Sequence, residues 1–281
     1  MEKPQENFND MRIDVDAVLQ RRAKRYYKYI PGWLVKWLER TICQDEMNEL
    51  LRRNSRLDGV DFCEGVIRDL GITYEINGNF PSDADSRPVI VSNHPLGALD
   101  GLVLAIAVSR AYGRKDVKFV VNDLLQAVKP LRSIFLPVNK FGRQSRSAAE
   151  DVEKAFASDC PIIMFPAGLV SRRGADGKIA DLRWHKMAVQ KAISSGRNII
   201  PVHFGGRNSG FFYKFAHLRT VLGIKFNIEM IFLPREIFRC KGAHFGIRIG
   251  EPVGAESLRG GTDAQSQADA LREAVYALAD N

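Results

Sequence analysis

The feature that most constrains this chain is a change of hydrophobic period at Gly71. Between residues 15 and 69 apolar side chains recur at spacings of three and four, the mark of amphipathic helices, with breaks at Pro31-Gly32 and Asp58-Gly59. Three or four helices are expected there. Beyond Gly71 come short β-branched or apolar runs at 72–76, 89–91, 117–121, 134–138, 162–165, 199–204, 226–232 and 245–249. Helical stretches fit between them at 101–112, 146–157 and 182–194, and 263–278 reads as a closing helix. Such alternation predicts an α/β fold: a mainly parallel sheet flanked by helices, with right-handed crossovers, behind an N-terminal helical segment. The expected division is 1–70 for that segment and 71–281 for the α/β domain.

With 281 residues, 45% of them hydrophobic, the chain can bury one large core with a smaller helical appendage. Cys43, Cys63, Cys160 and Cys240 are far apart and lack zinc or dithiol spacing, so they read as thiols in a reducing compartment. No apolar run approaches the roughly 20 residues needed to span a bilayer, and no signal-like stretch comes after Met1. A cytoplasmic location is expected. The net charge of +8 is concentrated: residues 21–40 hold seven basic residues against one acid, Glu39. Such a patch suits an anionic surface, and charge alone does not choose which.

In open α/β sheets ligands gather beyond the carboxyl ends of strands, which directs attention to the segments just after Val91 and Phe165. The first segment, Val91-Ser-Asn-His-Pro-Leu-Gly-Ala-Leu-Asp100, places His94 just past a buried strand, Pro95 and Gly97 in a turn, and Asp100 at a helix start. Histidine is the natural general base near neutral pH, and a carboxylate beside it fixes its tautomer and stabilises the imidazolium. The plainer alternative is a turn histidine beside a helix-capping aspartate. The second segment, Ile162-Ile-Met-Phe-Pro-Ala-Gly-Leu-Val-Ser171-Arg172-Arg173, is again a buried strand running into a Pro/Gly turn with polar residues. Two such turns in one sheet favour a site. His94, His185, His203, His217 and His244 show no ligand spacing, so no metal is expected, and the last four read as structural.

Together these segments resemble the glycerolipid acyltransferases typified by 1-acylglycerol-3-phosphate acyltransferase, with their Asn-His-x4-Asp and Phe-Pro-Glu-Gly-Thr-Arg-Ser motifs. The resemblance covers roughly residues 70–250, including Ile199-Ile-Pro-Val-His203. It departs from that pattern in informative ways. Five residues rather than four separate His94 from Asp100, an excess that a turn at Gly97 could absorb. Ala167, Leu169 and Val170 stand where the family has Glu, Thr and the phosphate-binding Arg, and the stretch Phe135-Leu-Pro-Val-Asn139 also lacks an arginine at the matching position. Arg132, Arg143 and Arg172 are neighbours rather than equivalents. Loss of those arginines points to an acceptor without a glycerol phosphate. The chain is more similar still to the bacterial hemolysin-like acyltransferases of ornithine and glycine lipid synthesis, in which Asn-His-Pro-x-Gly-x-x-Asp and Phe-Pro-Ala-Gly-x-Val-Ser recur.

The resemblance implies O-acylation of a lyso-lipid, an N-(3-hydroxyacyl) amino acid, by an acyl carrier protein or coenzyme A thioester, with no bound cofactor. His94 would be the base and Asp100 its partner. Asn93, Gly97, Phe165, Pro166, Ala167, Gly168, Ser171 and Arg172 would line the substrate site, with amides of the Gly97 or Gly168 turns on the oxyanion. Region 71–281 would then be the acyltransferase domain. A lysophospholipid acyltransferase, with Arg172 or Arg143 supplying the missing cation, and a non-catalytic lipid-binding surface protein are the alternatives.

For the 1–70 region the expected role is membrane docking on the inner face of the cell membrane. Lys24, Arg25 and Lys28 lie beside Trp33 and Trp37, the cation and aromatic pairing of a helix in the headgroup layer, at about 1 kcal/mol per basic residue near an anionic surface. The alternative is a helix whose tryptophans fill the core. A second aromatic and basic segment, 210–219, could flank the lipid entrance. Nucleic acid is not an expected partner, because aromatics and cations do not alternate along the strands.

Overall fold

The computed structural model describes residues 11–81, 87–122, 128–138 and 146–279. Four helices come first: α1 (Val15–Arg22), α2 (Gly32–Thr41), α3 (Gln44–Arg53) and α4 (Gly59–Asp69). The sequence breaks act as expected, with Pro31 at the N-cap of α2 and Asp58 at that of α4. The basic stretch is divided between the end of α1, a 3-10 turn at Tyr27–Tyr29 and α2.

The chain then enters the sheet through β1 (Thr73–Asn77), β2 (Val89–Ser92), α5 (Leu99–Tyr112), β3 (Lys118–Asn122), β4 (Phe135–Val138), α6 (Arg146–Ala157) and β5 (Ile162–Met164). A small antiparallel pair, β6 (Arg172–Arg173) and β7 (Ile179–Ala180), precedes α7 (Met187–Ser195), β8 (Ile199–Phe204) and α8 (Gly210–Val221). The chain continues through α9 (Leu233–Arg239) and β9 (His244–Ile249) to α10 (Ala264–Ala277). Seven strands form the main sheet in the order β1-β9-β8-β2-β5-β3-β4. All neighbours pair in parallel except β8 and β9, so β1 and β9 run against the other five.

Side-chain alternation divides the core between the two faces of this sheet. Ile90, Ile163 and Ile200 point to the layer of α4 and α5, whereas Val89, Val91, Ile162, Met164 and Ile199 point to α6, α7 and α10. The central strands are therefore apolar on both faces, as their sequences are. Helix α5 is apolar all round because it lies inside a layer, and α4 joins it in the larger core through Val60, Phe62, Cys63, Val66 and Ile67.

Two expected elements differ. The run 226–232 alternates apolar and polar residues as a strand would, yet Ile228–Phe232 is a 3-10 turn leading into α9, with Glu229 fully buried and paired to arginines. Helix α7 starts at Met187 rather than 182, because the Trp184 indole donates to Asp181 (3.0 Å) and the His185 amide to the Pro166 carbonyl (3.0 Å), which holds 181–185 out of helical geometry.

Arg197, fully buried between α7 and β8, closes the far end of the sheet. Its guanidinium donates to the carbonyls of Phe156, Ala155, Ser158, Cys160 and Arg87, collecting the end of α6 where the helix dipole is negative. Arg197→Met should leave several buried carbonyls unpaired, at a cost on the order of 3 kcal/mol or more. The expected reading in a thermal melt is a Tm lower by roughly 6–12 °C, at about 2–4 °C per kcal/mol for a chain of this size.

Candidate active site

Because β2 lies between β8 and β5, the loops leaving all three parallel strands open on one edge of the sheet. Asn93 leaves β2 and turns inward: its Nδ2 donates to the Phe204 carbonyl (2.9 Å) and its Oδ1 accepts from the Phe204 amide (2.7 Å). This side chain fastens β2 to the end of β8 and is buried, rather than presented to a substrate. The loop is fastened again where the Asn208 side chain donates to the Pro95 carbonyl (3.1 Å).

His94 and Asp100 meet. The ring Nδ1 lies 3.0 Å from Asp100 Oδ2, which also accepts from the amides of Leu96 (2.9 Å) and Gly97 (3.2 Å), while Oδ1 accepts from Gly101 (2.9 Å). The five-residue spacing closes because Gly97 adopts φ +84°, and a Cβ there would sit 2.6 Å from Val170 Cγ2 and 2.9 Å from Leu233 Cδ1. Asp100, ionised, fixes the proton on Nδ1 and leaves Nε2 as the basic nitrogen of a side chain 15% exposed. The ring is held flat by Phe165, stacked on it at 4.1 Å between centroids.

Burial is the largest influence on both groups and opposes their charged forms, but pairing outweighs it. For His94, Asp100 and then Asp181 lift the imidazole above its ordinary range; for Asp100, His94 and the Leu96 and Gly101 amides hold the carboxyl below its own. The pair is poised as a carboxylate and an imidazole able to take a proton.

The second turn abuts the first. The Ser171 amide donates to the His94 carbonyl (2.9 Å), Pro166 and Ala167 are buried beneath, and Gly168, at φ +61°, is exposed with its amide on the Phe165 carbonyl (2.8 Å). The amides of Gly97 and Gly168 themselves are thus engaged within their turns. Ser171 is buried, its hydroxyl donating to Asp181 Oδ1 (2.6 Å).

A family described as "Acyltransferase" matches residues 17–281. The chain belongs to this acyltransferase family. Two proteins named lyso-glycine lipid O-acyltransferase, from Bacteroides thetaiotaomicron and Phocaeicola vulgatus, are each 40% identical to it over 266 residues, covering 95% of this chain and 97% and 95% of theirs. Among solved structures, the 1-acyl-sn-glycerophosphate acyltransferase of Thermotoga maritima covers 78% of this chain and 82% of its own at 16% identity, with a TM-score of 0.45.

The sequence did not single out Asp181, yet in this acyltransferase it grips the loop that carries His94. Its Oδ1 accepts from the His94 main-chain amide (3.1 Å) as well as Ser171, and its own main chain is held by the Tyr276 hydroxyl and Arg272 of α10. Burial raises its pKa, against the opposing hydrogen bonds from Ser171 and Trp184. Its sequence context, a lone acid after β7, carries no signal of that role.

Arg172 does reach the site's rim, but its Nη2 donates to Glu229 Oε1 (2.7 Å) and its Nη1 to the Val170 carbonyl (2.7 Å). Arg219 lies 2.7 Å from the other oxygen of Glu229. Arg172 is thus a tie between the second turn and α8. Arg143 lies outside the described residues. The five side chains expected at a membrane, Lys24, Arg25, Lys28, Trp33 and Trp37, are all exposed, with Trp33 69% and Trp37 46% accessible, so the tryptophans do not fill the core. His185 and His244 are exposed, and His203 packs its edge on Tyr276. No helix among the described residues is long and apolar enough to cross a membrane.

A base must be neutral to accept a proton, so kcat/KM should fall as pH drops through a value above 6.5, the reference for a free histidine. Asp100→Asn removes the charge that offsets burial. Its acid limb should therefore move to lower pH while the plateau drops roughly 10²- to 10⁴-fold, as a pH–rate profile of the two proteins would show.

Proposed function

We propose that this enzyme O-acylates a lyso-lipid at the bilayer surface, with the 3-hydroxyl of an N-(3-hydroxyacyl)glycine as acceptor and an acyl carrier protein or coenzyme A thioester as donor. The observation that carries the reading is the paired His94 and Asp100, with Nε2 left as the base beside the ring of Phe165. His94 Nε2 takes the acceptor's hydroxyl proton, and the alkoxide attacks the thioester carbonyl. The tetrahedral intermediate collapses to the ester, and the departing thiolate recovers the proton from the imidazolium. Asp100 stabilises that imidazolium without accepting its proton, a contribution typically worth roughly 10²- to 10⁴-fold in rate.

Two observations support an amino-acid headgroup over a glycerol phosphate. The relatives matched along nearly their whole length are named for lyso-glycine lipid. Arg172, an arginine beside the second turn that could stand in for the missing phosphate ligand, is already paired with buried Glu229. Exposure of Lys24, Arg25, Lys28, Trp33 and Trp37 supports a peripheral position on the inner face of the cell membrane.

Acyl transfer from acyl carrier protein and coenzyme A thioesters to N-(3-hydroxyacyl)glycine, N-(3-hydroxyacyl)ornithine and lysophosphatidate tests this. Turnover should be highest on the glycine lipid and fall at least about 100-fold in a folded His94→Ala protein. Turnover on lysophosphatidate alone would overturn the headgroup assignment, and full activity in His94→Ala would overturn the mechanism.

A further inference from the structure

Helix α8 is apolar on both sides, which a helix on the surface of a water-soluble chain is not expected to be. Its inner face buries Phe212, Tyr213 and Ala216 and is pinned by Arg219 on Glu229. Its outer face carries Phe211, Leu218 and Leu222, at spacings of seven and four, all exposed, with half-buried Phe215 completing the stripe over about 16 Å of helix. After α8, Gly223 at φ +69° turns the chain and releases Ile224 and Phe226, the latter 81% exposed. A continuous apolar strip of this kind marks a surface that meets something apolar.

The strip continues onto α2. Phe232 lies edge-on to both Phe211 (5.0 Å) and Trp37 (6.5 Å), so the exposed tryptophans of α2 and the stripe of α8 share one face. Its charge is of one sign. From residue 210 to 228 the sequence has no acid, and Lys214 and Lys225 are exposed; on α2, Lys36 stands exposed between the two tryptophans.

We propose that the outer face of α8 and the turn at 223–228, continuous with Trp33 and Trp37, is the surface that lies in the headgroup layer of an anionic bilayer. Positive charge at the rim of an apolar strip complements anionic lipid, and the choice of a bilayer over a protein partner rests on the lipid acceptor proposed above. The placement also serves the site. The inner side chains Phe212 and Tyr213 pack with Val170 of the second catalytic turn, and Val170 in turn faces Gly97. A bilayer against α8 is therefore one helix thickness from the turns that hold His94, near enough for an acceptor to keep its chains in lipid.

Co-sedimentation of the full chain with acceptor-free vesicles of phosphatidylcholine, with and without anionic phosphatidylglycerol, tests the surface directly. Wild-type protein should partition onto the anionic vesicles with a blue shift from Trp33 and Trp37, since Trp184 is already buried. Leu222→Ser/Phe226→Ser should lower the partition coefficient at least about tenfold with an unchanged melt, and Lys225→Glu should lower it on anionic vesicles only. Partitioning unaltered in Leu222→Ser/Phe226→Ser would overturn the proposal. So would a concentration-dependent dimer, lost in that variant, with no vesicle binding, which would assign the strip to a second copy of the chain. Because the vesicles carry no acceptor, the headgroup assignment can fail in the turnover assay while this surface stands.

Discussion

Asp100 has no solvent exposure, and a carboxylate taken from water is costly unless hydrogen bonds replace its hydration. Here the replacement is complete enough to keep it ionised: the His94 ring and the amides of Leu96, Gly97 and Gly101 all converge on it. Two of those amides are delivered only because Gly97 takes a left-handed conformation in a space too tight for a Cβ. Turn shape, imidazole tautomer and charge state are thus one coupled interaction. Asp181 completes it from the other side, holding the main chain of the same histidine whose ring Asp100 holds.

The sheet supplies the frame for this coupling. Parallel pairing of β2 with both β8 and β5 brings three strand ends to one edge, and each is fastened to its neighbour by a specific bond. Asn93 locks the end of β2 to Phe204 of β8, and the Ser171 amide locks the turn after β5 to His94. Side chains oriented to within tenths of an ångström need rigid elements beneath them, and the doubly apolar central strands provide these.

Much of this was legible in the sequence for a physical reason. Strands buried on both faces read as uninterrupted β-branched runs, and most of them fall within a residue of where periodicity places them. A histidine just past such a run, with a glycine and an acid in the next turn, carries a local signal. The segment 226–232 shows the limit: its alternation comes from Phe226 and Ile228 facing outward and Glu229 facing two arginines, a pattern set by burial in a turn rather than by pleating. Asp181 was invisible because its partners, His94, Ser171 and Trp184, are assembled only by the fold. Arg172 shows a different limit: the sequence places it beside the second turn but does not reveal its carboxylate partner, which lies 57 residues further on.

That carboxylate also ties the second turn to the apolar α8. A buried pair of this kind contributes little net stability once desolvation is counted; its value is in fixing one arrangement against others. Glu229 takes Arg172 from the second turn with one oxygen and approaches Arg219 of α8 with the other, so α8 cannot rotate without breaking a buried charge pair. Arg172 and Arg219, one on each oxygen of Glu229, together hold the orientation of α8. Its fixed rotation keeps Phe212 and Tyr213 under Val170 and turns Phe211, Leu218 and Leu222 outward.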